Sequence, residues 1–199
     1  MQGEYQHIWE LAQPYLDTRD NVIHTTLAYS FAKKLMKEEG GDEPVVFPAV
    51  ILHDVGWKSV PEDLQLKAFG PGTSDAELNR IHEVEGAKKA REILEQVGYD
   101  PASTDEIVEI ILGHDSRTQP LSLNDAIVKD SDKLWRFSAE ALVIDPKRFG
   151  IDPAVHAEWL GRRIEEWFLT RTAKKLAREE QRLRVLHYGP PPKGAKNRK

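Results

Sequence analysis

The chain has 199 residues, of which 40% are hydrophobic and 31% are charged, and its formal net charge is −5. Its longest uninterrupted apolar stretch covers residues 45–52, far short of the roughly 20 residues that cross a bilayer. No basic-then-apolar signal pattern stands at the start of the sequence. We therefore expect a cytoplasmic protein that consists of one folded domain and makes no contact with a membrane.

The lack of cysteine restricts the chemistry that the chain can carry. Disulfides, thiol nucleophiles, zinc ribbons and iron–sulfur clusters are all excluded. Any metal ion must be bound by nitrogen and oxygen atoms, so histidines and carboxylates are the candidate ligands.

Helical periodicity dominates the pattern of apolar residues. The first apolar stripe predicts a helix that ends at Gly40 and Gly41. Its members, which recur at three- and four-residue spacing, are Val22, Ile23, Leu27, Phe31 and Leu35.

Three local signals predict the starts of later helices. Ser74 with Glu77, and Ser103 with Glu106, match the capping box that opens a helix. Asp152 and the proline that follows it form an N-cap and first-turn pair. No segment alternates apolar and polar residues over the length of a strand, so we predict an all-α fold. The expected architecture is a single helical bundle of about seven or eight helices.

A long connection over residues 56–74 is punctuated by proline and glycine at Pro61, Gly70, Pro71 and Gly72. It leaves directly from an adjacent His-Asp pair, His53 and Asp54. The connection is either a lid over that pair or an insertion without such a role.

Positive charge is concentrated at the C-terminal end, where residues 171–199 carry ten basic and two acidic side chains. We interpret this region as a solvated helix followed by a flexible basic tail at 188–199, and we place the folded domain at 1–187. Binding of nucleic acid is not expected. The oligomeric state stays open, with a homo-oligomer as one alternative.

Four of the seven histidines lie at inward faces or buried ends of predicted helices. His24 shares a helix face with Phe31 and Leu35. The pair His53 and Asp54 ends the most apolar helix, and His114 ends another apolar helix. His82 follows Ile81, which is predicted to face inward. These four histidines and the adjacent aspartate are His24, His53, Asp54, His82 and His114. Buried imidazoles and carboxylates are costly unless a partner compensates them, and a divalent cation does so for several at once.

The order of these residues, the phrase AVILHDVG and the later SDKL resemble the HD-domain superfamily of metal-dependent phosphohydrolases. These all-α proteins are named for the adjacent His-Asp pair, and the resemblance covers residues 21–137. It implies four core metal ligands, which are His24, His53, Asp54 and Asp132. Members that hold two metal ions add two histidines, here His82 and His114. Asp130, two residues before Asp132, is an alternative or supporting carboxylate.

The resemblance implies one or two divalent transition-metal ions, and nitrogen–oxygen ligands suit Fe, Mn, Co, Ni or Zn. It also implies attack of a metal-activated hydroxide at phosphorus in a nucleotide or other small phosphate ester, by a phosphomonoesterase or a phosphodiesterase. Asp54 is expected to bridge the ions. Lys58 and Lys133 are the nearest fixed positive charges and are predicted to hold phosphate oxygens. If only the core four residues bind metal, His82 and His114 become substrate-binding or acid–base groups.

Other residues near these motifs are weaker candidates. Arg117 and Arg136 are further cations, Trp135 either packs on a nucleobase or belongs to the core, and Asp115 is interpreted as a carboxylate that orients an imidazole. A branch of the same superfamily uses the same ligands for a di-iron oxygenase, which is the alternative activity. A non-catalytic, metal-stabilised module is a third hypothesis.

Overall fold

The computed structural model describes residues 5–68 and 75–191. Over these residues the chain forms eleven α-helices and two short 3₁₀ helices and contains no strand, which confirms the all-α prediction. The α-helices are α1 (Gln6–Leu16), α2 (Asn21–Glu39), α3 (Glu43–Leu52), α4 (Glu62–Ala68), α5 (Ala76–Gln96), α6 (Pro101–Ile111), α7 (Leu123–Leu134), α8 (Ala141–Phe149), α9 (Pro153–Gly161), α10 (Ile164–Trp167) and α11 (Arg171–Tyr188). The 3₁₀ helices are Val55–Ser59 and Trp135–Phe137.

The predicted number of seven or eight helices was too low because short helices fill stretches that the sequence pattern suggested were loops or single long helices. The connection predicted over 56–74 contains a 3₁₀ helix and α4, and its residues 69–74 lie outside the described part of the chain. The helix predicted from Asp152 is two helices, α9 and the four-residue α10. Residues 192–199 of the predicted basic tail also lie outside the described residues.

Two of the predicted helix caps differ from the observed ones. Asp75 caps α5 and accepts hydrogen bonds from the amides of Glu77 and Leu78, at 3.0 and 3.2 Å. Ser74, where a cap was predicted, lies outside the described residues. The acidic side chain replaces a hydroxyl in the same role, because both offer an oxygen to an unpaired amide of the first turn.

The start of α6 was predicted three residues too late. Asp100 is the N-cap and accepts from the amide of Ser103 at 2.8 Å, while Pro101 takes the first helical position. Proline is favoured there because its missing N–H has no helical partner to lose. The predicted cap at Asp152 is confirmed, since its side chain accepts from two amides of the first turn of α9.

The buried face of α2 is rotated relative to the predicted apolar stripe. Val22 and Ile23 are 39% and 41% exposed, whereas His24 is buried in line with Ala28 and Leu35. A similar exchange occurs in α5, where Ile81, predicted to face inward, is 38% exposed and His82 is fully buried. In both helices, polar residues occupy interior positions that simple periodicity assigns to apolar ones.

The core is centred on α3, whose residues from Val45 to its end are all buried. It packs against α2, α6 and α7, and the helices α8 to α11 pack together and against α2, α7 and the 3₁₀ helix Trp135–Phe137. None of the described helices combines the length and the hydropathy needed to span a membrane.

Candidate metal centre

Six buried side chains from five parts of the fold meet at one place. They come from the first turn of α2, the end of α3, the first turns of α5, the turn after α6 and the last turn of α7: His24, His53, Asp54, His82, His114 and Asp132. Each is at most 8% exposed. The six residues that the sequence motif predicted as metal ligands are therefore neighbours in space.

Three of these side chains form a first triad. The Nε2 atoms of His24 and His53 are 2.8 Å apart, and Oδ1 of Asp132 lies 3.3 and 3.5 Å from them. All three potential ligand atoms lie within 4.8 Å of one another. This triad joins α2, the end of α3 and α7.

The other three side chains form a second triad. The Nε2 atoms of His82 and His114 are 3.3 Å apart, and Oδ1 of Asp54 lies 3.7 Å from Nε2 of His114. Asp54 also approaches the first triad, with Oδ2 3.6 Å from Nε2 of His24. Its carboxylate therefore lies between the two triads and can contact an ion in either of them.

Backbone carbonyls fix the orientation of two of the histidines. Nδ1 of His53 is 2.8 Å from the carbonyl oxygen of Val50, and Nδ1 of His114 is 2.8 Å from that of Ile111. A carbonyl only accepts, so each Nδ1 donates and each neutral ring turns the lone pair of Nε2 towards the centre. This is the tautomer that a metal-ligating histidine needs.

Trp57 supports the second triad from the 3₁₀ helix that follows the His-Asp pair. Its Nε1 donates to Oδ1 of Asp54 at 3.0 Å, and its ring stacks on His82 with centroids 4.0 Å apart. This packing requires a glycine beside it, because a Cβ at Gly56 would lie 1.9 Å from the carbonyl oxygen of His82.

Glu83 holds the turn that carries His114, and no sequence motif pointed to it. The side chain is fully buried and accepts from the amides of Asp115 and Ser116 and from the hydroxyl of Ser116, at 2.8–3.0 Å. The available signal was a carboxylate immediately after a buried histidine, which is a position where a charge needs fixed donors.

The electrostatics of the site favour ionised carboxylates. Burial by itself would raise the pKa of Asp54, but the neighbouring imidazoles of His53 and His114 hold it well below its usual range. The pKa of Asp132 is likewise held well below its usual range, against burial, by hydrogen bonds from His24 and His53. Both groups therefore carry negative charge at neutral pH in a buried place.

The imidazoles respond to this charge in different ways. Burial lowers the pKa of His82 to about 4, so its ring is neutral at pH 7. Burial also opposes protonation of His114, yet the carboxylates of Asp115 and Asp54 raise its pKa to about 10. The centre thus attracts positive charge, which either a proton on His114 or a divalent cation supplies.

The donor set suits divalent transition-metal ions. Ligand atoms about 2.1 Å from one ion lie roughly 3 Å or slightly more apart, and the distances of 2.8–3.5 Å within the first triad agree with this spacing. The second triad, at 3.3 and 3.7 Å, is only slightly wider. Four imidazoles with two carboxylates favour an ion of the iron-to-zinc series over calcium or magnesium.

The family model for the HD domain matches residues 21–136 of this sequence. The chain belongs to the HD domain family. None of the curated proteins matches the chain. The crystal structure of a predicted HD superfamily hydrolase from an uncultured Thermotogales bacterium is similar to it, with a TM-score of 0.63 and 21% identity over 92% of this chain and 87% of that one. This likeness shows that the two proteins share a fold.

The two aspartates of the HD domain's last motif have separate surroundings. Asp132 faces His24 and His53, whereas Asp130 accepts three hydrogen bonds from the amides of Leu169 and Thr170 and from the Thr170 hydroxyl, at 2.7–2.8 Å. The oxygens of Asp130 are therefore engaged in holding the start of α11 to α7. The alternative that Asp130 binds metal has no support in this geometry.

The two lysines predicted to bind phosphate lie in different places. Lys133 lines the cleft in front of the triads. Lys58 is exposed, its Nζ donates to the carbonyl oxygen of Asp17 at 3.2 Å, and it is not among the residues that line the cleft. The structure thus keeps Lys133 as a candidate and moves Lys58 away from the site, because the 3₁₀ helix turns its side chain outwards.

The weaker sequence candidates also separate. Trp135 and Arg136 line the cleft, as does Asp115, whose Oδ2 lies 3.5 Å from Nε2 of His82. Trp135 is 2% exposed and meets the ring of His24 edge-on, with centroids 4.7 Å apart. Arg117 instead pairs with Glu109 and Asp125 and does not reach the cleft.

The cleft of this HD domain has a volume of about 390 Å³ and includes residues that no sequence motif indicated. Arg19 reaches it from a turn between α1 and α2 in which Arg19 and Asp20 both have positive φ angles, 54° and 58°. Its guanidinium lies 3.8 Å from the ring centroid of Trp57. The far wall is built by α8 to α10 and includes Arg148, His156 and further aromatic side chains.

Proposed function

We propose that this HD domain is a metal-dependent phosphohydrolase that binds two divalent ions and acts on a nucleotide or other small phosphate ester. The observation that carries the proposal is the pair of His/Asp triads joined by Asp54 at the floor of a cleft with cationic side chains. The hydrolase description of the Thermotogales protein, which has the same fold, is in line with it.

The size of the cleft favours a small substrate. A volume of about 390 Å³ falls within the range of pockets that enclose ligands of nucleotide size. Side chains of α8 to α10 line the far wall of this cleft and bound the space available beyond the triads.

Each triad would hold one ion: His24, His53 and Asp132 the first, and His82, His114 and Asp54 the second. Asp54 would contact both ions through its two oxygens. Bound divalent ions supply Lewis acidity at phosphoryl oxygens and lower the pKa of water towards neutrality. The four imidazoles add no charge, so the two carboxylates leave the loaded centre positive and suited to an anionic phosphate.

The side chains of the cleft would orient the ester. Arg19 keeps its charge at neutral pH, because burial lowers its pKa only to about 10. Stacking on Trp57 fixes its guanidinium beside the second triad, where it can donate to phosphate oxygens. Lys133, next to Asp132, also lines the cleft and would contact the same group. Such charged hydrogen bonds hold the phosphorus in line for attack.

The test is a screen of nucleoside monophosphates, cyclic nucleotides and sugar phosphates with Fe, Mn, Co, Ni and Zn, measuring phosphate release. We expect Asp54→Asn to abolish release and Lys133→Ala to reduce kcat/KM roughly tenfold to hundredfold. Lys88→Ala, an exposed lysine paired with Glu85 in α5, is the control and should leave release unchanged.

The same screen separates the remaining alternatives. If Lys58→Ala causes the loss and Lys133→Ala does not, the placement of the phosphate is wrong. Oxygen consumption by the iron-loaded protein without release of phosphate from any ester would replace the hydrolase with the di-iron oxygenase.

A further inference from the structure

The part of the cleft farthest from the triads is built by helices that follow the matched HD domain. The family match ends at residue 136, whereas His156, Trp159 and Trp167, which line the cleft, lie on α9 and α10. Trp135 connects the two regions, since it contacts His24 on one side and lines the cleft on the other. We call this region, defined by Trp135, His156, Trp159 and Trp167, the distal pocket.

Two buried nitrogens of the distal pocket lack a hydrogen-bond partner among the described residues. Nε1 of Trp135 and Nε2 of His156 are both buried and without a partner, in cleft-lining residues that are 2% and 4% exposed. The nearest carboxylate oxygen to Nε2 of His156, on Asp145, is 4.0 Å away, beyond hydrogen-bond reach. Leaving such groups unpaired costs about 1–3 kcal/mol each, so they are typical of sites that a ligand completes.

A third unpaired group lines the same cleft, at the first residue of α2. Nδ2 of Asn21, a residue that is 2% exposed and lines the cleft, has no acceptor within the described residues either. An indole N–H only donates, and an amide nitrogen only donates. The occupant must therefore offer hydrogen-bond acceptors to Trp135 and Asn21.

The aromatic side chains of the distal pocket are held rigidly. The ring of Trp159 lies 14° from parallel to that of His156, with centroids 5.6 Å apart, and the guanidinium of Arg163 lies 3.6 Å from its centroid. Trp167 meets Trp159 edge-on, with centroids 5.4 Å apart. Fixed indole walls suit a flat ring, because little side-chain entropy is lost when such a ring binds.

The charges near the distal pocket are balanced within the protein. Arg136 and Arg148 line the cleft, and both pair with the buried Asp145, at 3.4 and 3.0 Å. Arg148 also pairs with Asp20 at 3.1 Å. Burial lowers the pKa of His156 to about 4, so its ring is neutral at pH 7. This end of the cleft is suited to an uncharged group rather than to a second phosphate.

We propose that the distal pocket is a specificity subsite for the ring of the phosphate ester, a neutral, planar ring that carries nitrogen and oxygen atoms. Acceptor atoms of this ring face Nε1 of Trp135 and Nδ2 of Asn21, and another of its polar atoms faces Nε2 of His156. The inference deepens the proposed function and rests on it. It selects nucleoside monophosphates over sugar phosphates, because a sugar phosphate leaves the aromatic end empty.

The test uses the metal-loaded full chain and measures binding separately from turnover. Equilibrium dialysis with adenosine, guanosine, cytidine and uridine, none of which carries a phosphate, reports on the distal pocket alone. We expect at least one nucleoside to bind, and Trp135→Phe and His156→Phe to weaken that binding about tenfold each. Both changes retain an aromatic ring and remove the unpaired nitrogen.

Two controls separate the subsite from general damage. His7→Phe, on the exposed side of α1, should leave nucleoside binding unchanged. The kcat/KM for ribose 5-phosphate should change less than twofold in His156→Phe. If Trp135→Phe does not fold, His156→Phe carries the test, because it lies farther from the triads.

The outcomes distinguish this inference from the proposed function. Phosphate release from ribose 5-phosphate as fast as from every nucleoside monophosphate, with no nucleoside binding, would overturn the subsite and leave the phosphohydrolase standing. Nucleoside binding that both variants weaken, without phosphate release from any ester, would support the subsite and overturn the hydrolase. Nucleoside binding that neither variant weakens would place the ring elsewhere and overturn the subsite.

Discussion

Replacement of Gly56 by alanine tests how closely the second triad depends on one backbone contact. Gly56 lies in the 3₁₀ helix directly after Asp54, and it packs against α5 next to His82. A Cβ at this position would lie 1.9 Å from the carbonyl oxygen of His82 and 2.5 Å from the amide nitrogen of Gly86. Both are backbone atoms, so no side-chain rotation relieves the clash.

The size of the effect follows from these distances. Real Cβ contacts are not shorter than 3.0 Å, so the 3₁₀ helix and α5 must separate by roughly 1 Å, whereas metal sites tolerate ligand displacements of about 0.2 Å. We expect Gly56→Ala to lose the ion of the second triad. The overpacking should also lower the free energy of unfolding by about 1–3 kcal/mol.

Gly86→Ala is the matched control, because it lies on the other side of the same contact. Its Cβ would be 3.4 Å or more from the nearest atoms, which is an ordinary contact distance, and alanine favours the helix by up to about 1 kcal/mol. Elemental analysis and urea unfolding of both variants are the assays. Equal metal content and stability in Gly56→Ala and the wild type, or equal damage in the two variants, would refute the reasoning.

Three further substitutions test separate parts of the site. Asp132→Asn should remove the ion of the first triad with little change in the unfolding free energy of the metal-free chain. Asp130→Asn should keep the metal and lower that free energy, because it weakens three hydrogen bonds to the start of α11. Elemental analysis and urea unfolding would show the opposite ranking if the carboxylates were misassigned. Trp57→Phe should weaken metal binding about 10- to 100-fold in a calorimetric titration, because an aromatic ring remains but the hydrogen bond to the carboxylate of Asp54 is lost. Trp159 contacts no triad residue, so Trp159→Phe should leave metal binding unchanged. Burial lowers the pKa of His156 from 6.5 to about 4, so the unfolded state binds the proton first as the pH falls, and stability is lost between pH 6.5 and 4. In urea unfolding, His156→Phe should lose about 3 kcal/mol less unfolding free energy over that window than the wild type. An identical pH profile of the two proteins would contradict the buried neutral ring.

The sequence predicted the all-α fold and the set of side chains that meet at the centre, because both are recorded in local patterns. Helical periodicity and the lack of alternation exclude strands. The adjacent pair His53-Asp54 at the end of an apolar helix, and the SDKL phrase, are short motifs in fixed order. The structure brings His24, His82, His114 and Asp132 to that pair, and their role as ligands stays a prediction for experiment.

The details that sequence patterns could not supply depend on how helices pack. The inward face of α2 is set by the centre that it supports, so Val22 and Ile23 are exposed although they continue an apolar stripe. Lys58 follows the motif closely in sequence, yet the 3₁₀ helix turns it away from the cleft. Arg19 reaches the cleft because Arg19 and Asp20 both have a left-handed backbone conformation, which residues other than glycine seldom adopt.

The side chains that α9 and α10 contribute to the distal pocket lie far in sequence from any motif. His156 and Trp159 come from a helix that begins more than a dozen residues after the matched domain ends, and single histidines or tryptophans at helical spacing look like ordinary core residues. Only their convergence with Trp135 on one cleft distinguishes them. Specificity residues of this kind are visible once the tertiary structure is known.

The stoichiometry of bound metal tests the central claim most directly. Elemental analysis of the purified full chain, after loading with Mn or Co and removal of unbound ions, should give two ions per chain in the wild type, one in His82→Ala and none in Asp54→Ala. A wild-type protein that binds no transition metal, or a His82→Ala variant with unchanged metal content, would contradict an account in which two buried triads share Asp54.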